Sequence, residues 1–124
     1  MLANGRALIW VALFFSGPTH ADLDSEITQQ QEIEARLQSE LAEEKKLSEG
    51  AYQEVFEFVD GSSFNRREQI IRLESANEIW DEFIGKTCEA QVLEAIGTRA
   101  ERANTLRCMI ERYKDKKNFF SSLI

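Results

Sequence analysis

The 124-residue sequence contains very little histidine, proline or cysteine. Its one histidine, His20, and its one proline, Pro18, both lie near the N-terminus. Imidazole is the usual partner of a serine or cysteine nucleophile and the commonest zinc ligand. A chain that loses its N-terminal segment on export therefore loses its only imidazole. The sequence also contains no glycine-rich phosphate loop and no nucleophile elbow. We expect a protein that is not an enzyme, with no catalytic residues, no metal site and no cofactor.

The first 21 residues have the layout of a cleavable secretory signal. Arg6 precedes an apolar run of nine residues, Ala7 to Phe15, and a glycine-proline break leads to a small residue, Ala21. This order is typical of signal peptides, and the run is shorter than the about 20 residues that a membrane-spanning helix needs. The alternative is a buried N-terminal helix. We expect cleavage after Ala21 and a periplasmic or secreted mature chain, residues 22–124, that forms one helical domain without a membrane span.

The mature sequence has no excess of basic residues. Residues 22–60 hold twelve acidic against three basic residues, and residues 61–124 hold ten against eleven. A nucleic-acid-binding domain presents a basic face, so we expect no nucleic-acid partner. An acidic exported domain meets basic proteins faster than neutral ones. The alternative interpretation is that the negative charge of the domain serves only to keep it soluble.

The mature chain is rich in good helix formers, and no strand-like alternation is long enough to compete. A thin apolar stripe predicts a first helix over residues 25–49, with Gly50 as a candidate interruption before a better buried face that includes Tyr52. The segment Asp60 to Ser63 is the clearest turn. Asp60, Ser62 and Ser63 of this turn, together with the acidic N-terminal face, are our candidate contacts for a partner.

Two further helices are predicted around a turn at Gly97-Thr98. Asn65 and Glu68 have the spacing of an N-terminal cap pair, Gly97 is a typical C-terminal cap, and Thr98 with Glu101 forms a capping box. Apolar residues at steps of three and four follow in both segments: Leu73, Ala76, Trp80, Ile84 and Cys88, then Ala103, Leu106, Ile110, Tyr113 and Phe120, with Lys117 as the interruption. The sequence predicts an all-α protein, a small helical bundle with an antiparallel hairpin.

The only two cysteines, Cys88 and Cys108, lie ten residues on either side of residue 98 in this hairpin. Ten residues rise about 15 Å along a helix, so both cysteines lie at the same height on antiparallel neighbours. In an oxidising compartment two such cysteines pair. Two cysteines without histidine make a poor zinc site, and no C-x-x-C redox motif is present. We therefore predict one disulfide that closes the hairpin.

Two apolar features have more than one interpretation. Trp80 shares a face with Cys88, and we expect it in the core, with ligand stacking as the alternative. The C-terminal segment, residues 118–124, contains Phe119, Phe120, Leu123 and Ile124. We expect this segment to dock on the bundle rather than on a partner.

Several of these residues together resemble the LprI-like lysozyme-inhibitor family. The segments are AYQEV at 51–55, ANEIWDEF at 76–83 and LRCM at 106–109, with a leucine, a cysteine and a glycine-threonine pair between them. The resemblance runs from Tyr52 to about Lys117 and implies an exported, helical, disulfide-bonded protein. It carries over the following as scaffold and disulfide positions: Tyr52, Leu73, Trp80, Cys88, Gly97 and Cys108. The chain departs from the family in having no cysteine before the tyrosine. Tyr113 and Lys116 stand about where a threonine-x-x-arginine is usual.

The resemblance implies an inhibitor of lysozyme-type muramidases that binds and blocks the enzyme. The alternative function is a periplasmic interaction or adaptor protein with another protein partner. Only the first predicts that cell-wall substrate is protected from lysozyme. The sequence gives no oligomeric state.

The signal peptide leads to a direct prediction for exported protein. Mass spectrometry of material recovered from the periplasm or medium should give a chain that begins at Asp22, because the small residue Ala21 ends the signal. Mature material that retains Met1 would contradict the export prediction.

Overall fold

The structure is a computed structural model that describes residues 19–124. The described residues form three α-helices, α1 (Thr19–Asp60), α2 (Arg66–Gln91) and α3 (Ala100–Ser121), with a 3₁₀ turn at Leu93–Ala95 before α3. The described residues contain no strand. The all-α prediction is therefore confirmed.

The predicted signal peptide, residues 1–21, lies outside the described residues for most of its length, and its cleavage stays a prediction. Across residues 19–124, no helix has the length and apolar character needed to cross a membrane.

The chain divides into two units, residues 1–32 and residues 33–124. In the first unit the described residues are helical, and Leu23 and Ile27 are exposed. The second unit contains the bundle core, and the single domain predicted over residues 22–124 stays a prediction.

Gly50 does not interrupt α1, so that expectation is wrong. Buried residues flank it on the same helix, with Leu37 and Leu41 before it and Tyr52 and Val55 after it. A glycine inside a helix costs about 1 kcal/mol relative to alanine. Burial of two large apolar side chains contributes more than that, so packing on both sides keeps the helix continuous.

The disulfide between Cys88 of α2 and Cys108 of α3 is present as predicted, with the two Cα atoms 5.6 Å apart. Cys88 is fully buried, and Cys108 is 6% exposed. The core cluster around the disulfide includes residues of all three helices: Leu37, Leu41, Ile84, Ala103, Leu106, Ile110 and Tyr113. The bridge therefore lies inside the core and fixes the register of α2 against α3.

The connection between α2 and α3 differs in detail from the prediction. α2 ends at Gln91, before Gly97, and the 3₁₀ turn follows. Gly97 has a φ of 77°, a conformation that glycine adopts more readily than any other residue. Glu101 accepts a hydrogen bond from the Gly97 N–H at 2.9 Å, and Thr98 Oγ1 accepts one from the Ala100 N–H at 3.3 Å. Both side chains of the predicted capping box therefore accept hydrogen bonds at this turn. Neither accepts one from the backbone N–H that the capping-box motif specifies.

The polar interruption of the α3 stripe is Lys116 rather than Lys117. Lys116 is 2% exposed, and its ammonium group donates a hydrogen bond of 2.8 Å to the carboxylate of Asp81 on α2. The same nitrogen lies 5.8 Å from the centre of the Tyr113 ring, and Lys45 Nζ of α1 lies 5.5 Å from it. A buried ammonium is stable only when it is paired. Asp81 and the ring of Tyr113 supply that pairing.

Removal of the disulfide should destabilise the domain strongly. We expect Cys88→Ser to lower the free energy of unfolding by about 2–5 kcal/mol, as loss of native bridges in small secreted domains does. Denaturant unfolding of oxidised protein and of the variant measures the difference. Two thiols that label freely in the native protein would contradict the bridge.

The free energy of unfolding should fall by different amounts when Asp81 or Lys116 is replaced. Asp81→Ala leaves an unpaired buried ammonium, and we expect a loss of about 1–3 kcal/mol. Lys116→Met removes the buried charge itself and should cost less, because an apolar side chain of similar length fills the space. Denaturant unfolding of both variants provides the comparison, and an equal or larger loss for Lys116→Met would contradict this account.

Candidate interaction surfaces

The described residues offer no arrangement suited to catalysis by a metal or a thiol. No group of three or more histidine, cysteine, aspartate and glutamate side chains among them could hold a metal ion. Both cysteines are in the disulfide, so neither thiol is free.

The three predicted contact residues lie in the turn that joins α1 to α2. Asp60 is the last residue of α1, and its carboxylate forms an ion pair with Arg66. Arg66 Nε also donates to the main-chain oxygen of Asp60 at 2.9 Å. Ser62 Oγ accepts a hydrogen bond from the Phe64 N–H at 3.3 Å, and Ser63 is exposed. Asp60 is thus largely neutralised, and its role in the structure is to close the turn.

The most exposed large apolar residue of this turn is Phe64, which sequence reasoning missed. Phe64 is 75% exposed. The next residue, Asn65, is the N-cap residue of α2 as predicted, but it has a φ of 51° and makes no side-chain capping hydrogen bond. Asparagine is one of the few residues that adopt this left-handed conformation readily. A single aromatic residue between two serines and a run of polar residues was the signal that could have drawn attention to Phe64.

Six aromatic rings form a continuous series from the surface into the core. Neighbouring ring centres are 5.1 to 6.2 Å apart. The order is Phe83, Trp80, Phe119, Phe120, Tyr52 and Phe56. Pairs at this spacing stabilise a fold by about 0.5–1.5 kcal/mol beyond the area they bury. The series therefore connects the three helices, from the middle of α2 to the C-terminal ends of α3 and α1.

The predicted scaffold residues occupy different positions along this series. Tyr52 and Leu73 are buried in a second core cluster with Phe120. Trp80 is half-buried and packs against both clusters, so one side of its ring belongs to the core. Its other neighbour, Phe83, is 48% exposed. Trp80 thus joins the core to an exposed surface.

The buried tyrosines carry the clearest electrostatic effects. Burial raises the pKa of Tyr52 above 10.0, and the charges of Glu74, Glu49 and Glu78 add to the shift. Burial raises the pKa of Tyr113 in the same direction, with Asp81 as the second cause. Both phenols therefore stay neutral well above physiological pH, which suits a structural role.

An apolar groove of about 420 Å³ lies between the ends of the three helices. Its apolar walls are formed by Val55, Phe58, Val59, Leu73, Ala76, Phe119, Leu123 and Ile124. A second hollow shares Ala76 and is completed by Ile79, Trp80 and Phe83. Phe120 docks in the core and is fully buried, whereas Leu123 and Ile124 are about half exposed. The C-terminal segment therefore docks only in part, and the rest of it extends the exposed apolar surface.

A polar hollow of about 550 Å³ lies beside the disulfide. Arg112 extends across it and donates to Gln91 at 3.3 Å and to Asp115 at 3.4 Å. Arg107 and Glu111 add one charge of each sign. The charges are balanced within the hollow, and we assign it no ligand.

The part of α1 that belongs to the bundle has an acidic exposed side. Residues 33–60 contain eight acidic and three basic residues. Glu40, Glu43, Glu54 and Glu57 are all exposed on this side. A row of carboxylates on one helix raises the rate of encounter with a basic protein.

Comparison of the chain with protein-family models, with curated proteins and with solved structures finds no match. The LprI-like resemblance therefore rests on the sequence segments that carry it.

Proposed function

We propose that this chain is an exported binding protein, without chemistry of its own, that blocks a partner by inserting the α1–α2 turn into a cleft. The observation that carries the proposal is Phe64, an aromatic side chain 75% exposed in a turn closed by hydrogen bonds. Aromatic residues, phenylalanine included, are enriched in interfaces, where a few central side chains supply most of the binding energy. A turn that is already ordered loses little conformational entropy on binding.

The partner that we propose is a lysozyme-type muramidase, the class that the LprI-like resemblance implies. Such an enzyme cleaves its substrate with two carboxylates in a cleft. Arg67 is exposed at the start of α2, three residues after Phe64. A guanidinium group binds carboxylates with paired hydrogen bonds. Phe64 would then fill a sugar subsite while Arg67 meets the acidic residues.

The acidic side of α1 is a second feature that supports the same partner. A basic muramidase is attracted by the exposed carboxylates of α1, and this attraction acts mainly on the association rate. The two surfaces have separate roles. The α1 carboxylates raise the encounter rate, and the turn supplies the contacts that hold the complex.

An adaptor function is the second candidate, and the apolar groove favours it. Phe58 is 66% exposed at this groove, and Ile124 is 58% exposed. An apolar segment of another exported protein would fit such a surface. This candidate predicts binding through the groove and no effect on lysozyme.

Inhibition of lysozyme by the unmodified protein separates the two candidates, and Phe64→Ser and Phe58→Ser then locate the contact. If the turn enters the cleft, Phe64→Ser should weaken inhibition by roughly 10–100-fold, the usual loss for a central aromatic contact. Phe58→Ser removes an exposed ring of the same kind from the groove and should leave inhibition unchanged. The assay is lysis of cell-wall suspensions by lysozyme, with folded and oxidised protein titrated in.

Salt provides the second readout of the same assay. Because the Debye length is about 8 Å at 0.15 M salt, association should be faster at low salt than at this concentration, with little change in dissociation. Complete absence of protection at low salt with protein in molar excess would rule out the muramidase. Loss of inhibition in Phe58→Ser with retention in Phe64→Ser would place the contact at the groove.

A further inference from the structure

One exposed face of α2 has a charge pattern that complements itself. Residues at helical spacing form a row, which we call the α2 strip: Glu68, Arg72, Ser75, Ile79, Glu82 and Lys86. All six are exposed. Glu68 and Arg72 form an ion pair at 2.9 Å with 58% and 79% of their side chains accessible. The strip is about 27 Å long at a rise of 1.5 Å per residue.

Antiparallel pairing of two copies of the strip matches opposite charges. When two α2 helices pack antiparallel with their strips in contact and with residue 77 of both at the same height, each strip residue lies opposite the one at an equal distance on the other side of that height. Glu68 then faces Lys86 of the second copy, and Arg72 faces Glu82. A two-fold axis repeats both contacts, so four ion pairs form. Opposite charges at matched positions specify the partner and the register.

The centre of the strip is suited to close contact. Ile79 is 62% exposed and in this register lies opposite Ser75 of the second copy, next to Ala76. These small residues leave space for a branched side chain to pack, as at other closely packed helix pairs. A two-fold axis also places the edge of one strip that carries Phe83 beside the same edge of the other strip. Phe83 of the second copy therefore lies within one residue of the level of Arg72, which lines the apolar groove.

The exposed apolar area is large for an isolated domain. It continues from the strip into the groove and includes Phe58, Ile79, Phe83, Phe119, Leu123 and Ile124, which are 37% to 66% exposed. At about 200 Å² for each large side chain, the exposed part is on the order of 600 Å². This equals the largest patch of a typical monomer and approaches the about 800 Å² that each partner buries in a standard interface.

From these observations we propose that the chain forms a two-fold symmetric homodimer through an antiparallel contact of the α2 strips. The apolar centre supplies the contact area. The four ion pairs set the register. The proposal does not depend on a muramidase partner, and it assigns the α2 face to self-association while the α1–α2 turn stays at the surface.

Charge reversal with rescue by mixing tests the register directly. Arg72→Glu places an acidic side chain opposite Glu82 at both contacts, and Glu82→Arg places a basic side chain opposite Arg72. Each variant alone should dissociate at least about tenfold more readily than the wild type, because like charges repel across the contact. In an equimolar mixture the two substituted side chains meet at one contact with opposite charges, and the original Arg72–Glu82 pair remains at the other. Dimers should therefore return, and sedimentation equilibrium over a concentration series measures all three samples.

Arg107→Glu is the matched control, since it reverses an exposed arginine of α3 that lies outside the strip. It should leave the dimer unchanged. Circular dichroism and the absence of free thiols establish that each variant is folded. A wild-type chain that is monomeric at every concentration would overturn the proposal. Dimers that persist in both charge-reversal variants, or monomers that persist in their mixture, would also overturn it.

Discussion

The buried disulfide between Cys88 and Cys108 sets the register on which the rest of the bundle depends. The bridge joins α2 to α3 with Cα atoms 5.6 Å apart. Asp81 lies seven residues before Cys88 and Lys116 eight residues after Cys108, so the bridge brings them to the same height. Their hydrogen bond of 2.8 Å and the contact of Trp80 with Phe119 follow from the same alignment. A bridge that closes a loop of about 20 residues contributes roughly 3 kcal/mol in the chain-entropy model.

The sequence predicts the fold class and the bridge because both depend on spacing alone. Two helices that turn near residue 98 must bring Cys88 and Cys108 to equal heights. Details at helix ends depend instead on local competition between hydrogen bonds. Asn65 adopts a left-handed conformation and so does not act as a side-chain cap. Gly50 stays helical because packing on both sides outweighs its weak helix propensity.

The candidate surfaces are less predictable, because residues of the same type differ in how far they are exposed. Phe119 and Phe120 are adjacent, yet Phe120 is fully buried and Phe119 is 37% exposed. Phe64 is more exposed than either. Lys116 is buried whereas Lys117 is only half-buried, a difference that depends on Asp81 of the facing helix. Such outcomes depend on how the helices pack against one another, which no spacing rule within one helix provides.

Residue-resolved amide hydrogen exchange is the most direct measurement of the central claim that the bridge holds the core in register. The comparison is between oxidised protein and the double variant Cys88→Ala with Cys108→Ala. In the oxidised protein the amides of Ile84 and Leu106 should exchange only through global unfolding. In the double variant protection should fall together in α2 and α3, because the helices lose their common register. Unchanged protection in both helices would contradict the claim.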